Sequence, residues 1–295
     1  MASTMAPMER PGDTASLEAR AAEAVASGAE RAAVAVRTLT KGKELALAAD
    51  LFVAVWQTPF PPELLRAFEL SGNYVGGAFD EGGRLVAASV AFACVADERE
   101  LHSHSTAVAA DHRHAGVGVV MKLHQRWWAL ERGIGVISWT FDPLIKRNAN
   151  FNLARLAATA AEYVVNAYGV MDDALNGRDE SDRLWAHWNL ADPEVEAAAS
   201  GRPRRVQVPP GAVARLQVGR HGRPVVRAAH KGDEQAFTCQ VPDDIELLRR
   251  SEPELASTWR FVLRETLGGS LSAGARLLGL NDEGDYVIAP ATRTP

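Results

Sequence analysis

Ser105–Gly118 reads STAVAADHRHAGVG, an alternating β-prone run, then a polar loop, then two glycines set two apart at the mouth of an amphipathic helix. The helix continues as VGVVMKLHQRWWALERG and is expected to end at Gly133. A strand that feeds a helix through Arg113-x-x-Gly116-x-Gly118 has the makings of an anion site. The first amides of a helix have no partner within it, and the helix dipole adds partial positive charge there. Glycines at 116 and 118 let a ligand approach the backbone closely, and Arg113, with His112 and His114 beside it, adds positive potential. The competing reading is a turn that merely starts a helix, because short glycine patterns recur by chance.

Order along the chain favours the first reading. Upstream, Ala32–Thr40 reads as a strand, Lys43–Gln57 as a helix broken by TPFPP, and PELLRAFEL as a second helix with Pro62 near its first turn. Asn73–Phe79 and Arg84–Cys94 flank the turn tetrapeptide Asp80-Glu81-Gly82-Gly83, and Leu101–Ala109 completes a meander. Downstream, Gly135–Phe141 is a short apolar strand, Lys146–Leu156 a helix, and Glu162–Tyr168 and Arg183–Asn189 two further strands. The result is a mixed α+β fold. Residues 1–30, rich in Ala, read as a loose helix or a mobile segment; 31–192 form the main domain; 193–295 form an α+β extension. Residues 191–210 have the composition of a linker, followed by a hairpin around His221-Gly222, a helix capped by Asp243 or Asp244, and a strand near Asp285–Ala289. WRFVLRETL reads as a packing helix, and an extension of this kind either closes a cleft or builds a homodimer.

The bulk properties exclude several classes. The chain has 295 residues, 47% of them hydrophobic, enough for a substantial core. A net charge of −5 argues against nucleic acid or an anionic membrane as partner. No window approaches the ~18 consecutive apolar residues of a spanning helix, and the first residues lack the apolar core of a signal peptide. Cys94 and Cys239 are the only cysteines, far apart and in no metal-ligand spacing, as expected of a reduced, cytoplasmic protein.

With Arg113, Gly116 and Gly118 in this context, the chain resembles the GNAT superfamily of N-acyltransferases, whose signature is Arg/Gln-x-x-Gly-x-Gly/Ala. A closer resemblance, carried by LHSHSTAV, GVGVVMKLHQRWWALERGI, WTFDPLIKRNANFNLARL and SDRLWAHWNL, is to a little-characterised bacterial branch of predicted acetyltransferases. The resemblance implies a central, mostly antiparallel twisted sheet flanked by helices, with acetyl-CoA or another acyl-CoA as co-substrate and no metal. It implies that backbone groups of Ala107, Val108 and Ala109 meet the pantetheine arm. The amides of His114, Ala115, Gly116, Val117, Gly118 and Val119 would meet the diphosphate.

Such a reaction needs a base for the ammonium, donors for the oxyanion and an acid for the thiolate. His102 and His104 share one face of their strand by alternation, with Ser103 and Ser105 on the other. The resemblance places the base on this strand, and His104, nearer the centre of the sheet, is preferred. A structural histidine beside the cleft is the plainer alternative, and a metal site from His102, His104, His112 and His114 lacks a familiar ligand set. Asn148 and Asn152, four apart on a helix, correspond to the position where the family uses an asparagine toward the cofactor; helix capping is the alternative. The position where many members carry an acidic tyrosine holds Arg155; Tyr168 or Tyr163 is a candidate substitute, and departure of the thiolate to water is the alternative. Of the tryptophans, Trp185 and Trp188 fall on opposite faces of their strand. Asp182-Arg183 reads as a surface ion pair or, less plainly, as a site for a charged acceptor.

The sequence therefore points to an acyl-CoA-dependent N-acyltransferase acting on a small amine or amino acid, with acetyl as the default group. N-succinyl transfer, with Arg183 or Arg147 at the acyl end, a decarboxylase on the same fold, and a non-catalytic CoA-binding module are the alternatives.

Overall fold

The computed structural model describes residues 11–57, 60–97, 99–169, 179–227 and 235–291. They fall into two compact units, 1–137 and 138–295.

The first unit begins with a helix, α1 (Pro11–Arg31), and a strand, β1 (Val34–Thr38). Two helices follow, α2 (Gly42–Trp56) and α3 (Pro62–Leu70), then the meander β2 (Tyr74–Asp80), β3 (Leu85–Ala93) and β4 (Glu100–Val108), and the helix α4 (Val117–Leu130). The four strands lie side by side in the order β1-β2-β3-β4, and their successive pairings are antiparallel. Alternation sorts their side chains. Val75, Ala88, Val90 and Ala107 pack against Leu45, Ala49 and Phe52 of α2 and Leu65 of α3. Ala78, Val86 and Ala87 face Val117, Val120 and Met121 of α4.

Within the N-terminal segment, α1 is a helix of 21 residues that packs on α4, burying Leu17 and Ala21. Its Gly28 sits where a Cβ would be 3.3 Å from Leu123 and 3.4 Å from Val120. With the sheet on one side and α1 on another, α4 buries even Lys122, His124, Gln125 and Arg126. The Gly76-Gly77 pair has a steric cause on each face of β2. A Cβ at Gly76 would lie 2.2 Å from the Tyr74 hydroxyl, and one at Gly77 would lie 2.7 Å from Leu85 and 2.8 Å from Leu39.

β5 (Val136–Phe141) spans the boundary at residue 137. The second unit continues with α5 (Lys146–Ala149), whose turn widens into a π-helix over Asn150–Arg155, and with the antiparallel pair β6 (Thr159–Val164) and β7 (Arg183–Asn189). The stretch read as a linker contains a helix, α6 (Pro193–Ala199), capped by the Asp192 carboxylate on the Glu194 amide with Pro193 in the first turn. Then come β8 (Val213–Val218), β9 (Pro224–Val226), β10 (Phe237–Cys239), α7 (Ile245–Ser251), α8 (Pro253–Leu263), α9 (Gly269–Ser272), β11 (Arg276–Leu280) and β12 (Tyr286–Ala289). Asp244 is the residue that caps α7, through the Leu247 amide. A second sheet runs β11-β12-β10-β8-β9. β10 and β11 have no counterpart in the sequence expectation, and Tyr168 lies in the turn after β6, not on a strand.

The polar interior of the second unit overturns one expectation. Asp182 and Arg183 are buried, not a surface pair. Asp182 accepts from the Tyr163 hydroxyl at 2.8 Å and from Arg264 at 2.7 and 2.9 Å. Beside it, Asp142 receives both Nη atoms of Arg260 at 2.8 Å and Arg249 at 2.6 Å, and both arginines also reach Asp179. Burial alone would raise the Asp142 pKa, but these two guanidiniums outweigh it and hold the carboxyl well below the usual range. The network is closed by paired charges, which is the condition for burying them.

Candidate functional site

The loop after β4 turns on two residues in the left-handed region, His114 at φ 71° and Gly116 at φ 84°. Gly116 is the N-cap of α4, and its carbonyl accepts from the amides of Val119 and Val120. Among the described residues, no carbonyl or side chain accepts from the amides of His114 through Gly118. A left-handed residue followed by helical ones brings such N–H groups together on a concave side. A Cβ placed on Gly116 would meet nothing within 4 Å, so the concavity beside it is open. Val117 and Val120 are buried beneath, anchoring the loop, while Arg113, His114 and Ala115 are exposed. Arg113 has no ion pair or hydrogen bond among the described residues. These features fit a bound anion: a row of free amides, a helix N-terminus, room beside Gly116 and a guanidinium with no partner among the described residues.

His112 is turned away from this row. Its Nδ1 lies 3.0 Å from Asp111, which also takes Arg84 at 2.6 Å, and Arg84 in turn holds Asp80. The neighbouring His112 and the Arg84 guanidinium pull the Asp111 carboxyl down to about 2. The acidic groups next to the loop are thus tied to the β2–β3 turn.

On β4, backbone pairing distinguishes the three residues expected to face a pantetheine arm. Ala109 donates its amide to Val86 at 2.8 Å, and Ala107 and Val108 stand opposite Ala88 and Ala87. Antiparallel alternation therefore commits Ala107 and Ala109 to β3 and leaves the amide and carbonyl of Val108 pointing away from it.

Further along β4 the register slips. Ser105 stands opposite Val90, but Ser103 stands opposite Ala91, so His104 is an extra residue in a bulge. One extra residue resets the alternation. His102 comes to stand opposite Phe92, with ring centroids 5.2 Å apart, on the α2–α3 side of the sheet. His104 leans to the same side, 5.9 Å from Phe92 and 6.1 Å from Phe60. Ser103 turns to the α4 side and takes a hydrogen bond from Lys122 at 2.8 Å. The expectation that both serines oppose both histidines is corrected here: Ser105, beyond the bulge, shares the face of Ala107 and hence of the histidines.

Burial lowers the pKa of both imidazoles. For His102 the neighbouring His104 and Lys122 lower it further while Glu100 opposes them; for His104 the cause is partial desolvation. Both are thereby favoured in the neutral, proton-accepting form. Lys122, buried and bonded also to Gln125, is pushed down to about 7 by desolvation. The sequence reading did not single it out, since a lysine inside an amphipathic helix ordinarily faces water. His124, on the same helix, is hydrogen-bonded to the buried Tyr74 hydroxyl at 2.9 Å.

The remaining candidates belong to the second unit. Asn152 is buried with its side-chain oxygen accepting from the Trp139 indole at 3.1 Å, and its carbonyl accepts from Ala158. Asn148 is half-buried near the start of α5, its amide bonded to the Ile145 carbonyl. The Tyr168 hydroxyl lies 2.8 Å from Thr140, and its ring, about half exposed, has the Arg183 guanidinium 5.5 Å from its centre. Tyr163 is buried, with its hydroxyl pKa driven up by burial and by Asp182, which makes it a poor proton donor. Arg147 is paired with Glu246, so neither arginine named for a succinyl group is a free surface cation. Among the described residues no group of three His, Cys, Asp or Glu is placed to hold a metal ion. No helix among them is long and apolar enough to cross a membrane.

No protein-family model matches the chain, and no curated protein matches it in sequence. Solved structures do. The ribosomal-protein-S18-alanine N-acetyltransferase from Escherichia coli is similar over 54% of this chain and 95% of its own, at 13% identity and a TM-score of 0.45. An N-acetyltransferase from Staphylococcus aureus Mu50 is similar over 53% of this chain and 98% of its own, at 13% identity and the same score. A protein from Desulfovibrio desulfuricans assigned to the GNAT family of acetyltransferases is similar over 54% of this chain and 100% of its own, at 16% identity and a score of 0.45.

Proposed function

We propose that the chain is an acyl-CoA-dependent N-acyltransferase, with acetyl as the default acyl group and a small amine as acceptor. The observation that carries this reading is the row of unpartnered amides from His114 to Gly118, set at an open glycine cap and continuous with a strand whose Val108 backbone turns away from its meander partner. On this reading the loop amides and Arg113 hold the CoA diphosphate, and Val108 holds the pantetheine arm. The bound thioester supplies an activated acyl group. The chain supplies position, which accounts for much of the acceleration in reactions of this type. His104, exposed at the bulge and held neutral by its surroundings, accepts the proton that the acceptor ammonium must lose. Transfer forms the amide bond as the thioester carbon–sulfur bond breaks; CoA leaves as its thiolate and takes up the second proton that the nitrogen loses, with no metal or redox step required.

Thermal unfolding with acetyl-CoA tests the proposal. At a hundredfold excess over its dissociation constant, a ligand that binds only the folded state adds about 2.7 kcal/mol. Gly118→Glu, which brings a carboxylate to the row of amides, is expected to abolish that shift while leaving the unliganded protein folded. A chain that responds to no acyl-CoA, or a variant that responds as the parent does, would refute it.

A further inference from the structure

Phe60 and Phe92 meet the imidazole of His104 from two sides, with centroids 6.1 and 5.9 Å away and ring planes tilted by 49° and 43°. Phe68 of α3 stacks on the far side of Phe92 at 6.0 Å with only 15° between the planes, and Phe52 backs Phe60 at 5.2 Å. Phe60, Phe68 and Phe92 are all half-buried, while His104 itself is exposed. The rings therefore form a partly open aromatic corner with the imidazole in it.

Its charge is as telling as its shape. Among the described residues His104 makes no ion pair, and its pKa is lowered by the partial desolvation that the neighbouring rings impose. Glu100 and Lys122 act on His102, and Lys122 lies on the α4 side of β4, bonded to Ser103. Among the described residues no carboxylate or guanidinium pairs with His104, so an acceptor carried on a charged body gains less here than one carried on a ring. Half-buried rings favour another ring or an alkyl body on their remaining open surface, by burial and by tilted aromatic contact.

We infer that the Phe60–Phe92 corner binds the body of the acceptor, and that the acceptor is a monoamine carried on an aromatic or bulky apolar group. This inference rests on the reading of His104 as the base, but its binding half can be tested without CoA. The affinities of 2-phenylethylamine, ethylamine and 1,4-diaminobutane are to be measured by saturation-transfer NMR, with and without acetyl-CoA, alongside thiol release from acetyl-CoA. The expected result is binding of 2-phenylethylamine at least about tenfold tighter than the other two, with thiol release in the same order. Phe92→Leu keeps apolar volume and removes the ring, and is expected to erase most of that preference; Phe60→Leu is the second variant should the first misfold. Equal binding of the three amines, or a preference untouched by both variants, overturns the inference. A chain that ignores acetyl-CoA yet still prefers the aromatic amine refutes the acyltransferase reading and leaves the corner standing.

Discussion

Lys122 Nζ lies 2.8 Å from Ser103 Oγ, on the side of β4 opposite the two histidines. The bond fixes the strand from behind at the residue next to the bulge. It also gives the interior an ionisable group whose proton is insecure, because desolvation brings the Lys122 pKa down to about 7 from an ordinary value near 10.5.

The sign of that shift sets a stability profile. Between pH 7 and about 10 the unfolded chain binds a proton at this lysine that the folded chain has given up, so folding becomes more favourable as pH rises, by up to about 1.4 kcal/mol per unit. Urea unfolding at pH 7.5 and 9.0 is expected to show this rise in the parent and a smaller one in Lys122→Met. Identical slopes would mean that Lys122 keeps its proton when buried.

Replacing His104 by Ala removes the proposed base without touching the loop. Turnover is expected to fall by about two orders of magnitude, while the thermal shift with acetyl-CoA is retained. Since burial lowers its pKa, the acid limb of kcat/KM is expected below the ordinary histidine value near 6.5. A variant as fast as the parent would place the base elsewhere.

Arg260→Leu strips Asp142 of its two-pronged partner and leaves Asp179 short of one cation in a buried setting. Removing one side of a buried pair costs about 3–5 kcal/mol, because the remaining charge stays desolvated. Denaturant midpoints measure this directly. A loss below about 1 kcal/mol would mean that water reaches these carboxylates.

Gly76→Ala places a methyl against the buried Tyr74 phenol, which is itself held by His124 and cannot swing aside freely. Overpacking of this kind costs about 1–3 kcal/mol. Gly42→Ala, where nothing lies within 4 Å of the new carbon, serves as the reference and is expected to leave stability nearly unchanged.

The meander, the helices around it and the loop at Arg113 were legible in sequence because each carries a local mark: alternation, a turn tetrapeptide, a glycine at a helix start. The bulge at His104 carries none. A single inserted residue changes which side chains share a face without changing their types, so Ser105 was assigned to the wrong side. The burial of Asp182 was equally hidden, since its partner Arg264 lies 82 residues further on. By contrast, the helix at Pro193 was announced by Asp192-Pro193, a cap followed by a first-turn proline, inside a stretch whose overall composition suggested a linker. β10 and β11 are short, and β10 has only three residues, too few for a period to be read.

The partners of Asp142 set an order of events during synthesis. Arg249 follows it by 107 residues and Arg260 by 118. A ribosome that has delivered β5, β6 and β7 has therefore made a segment in which Arg183, 4.0 Å from Asp142, is present while Arg249 and Arg260 are still to come, and the carboxylates must stay hydrated. Maturation of the second unit waits for the arrival of α8, and a chain that stops short of it is left with a centre that cannot dry.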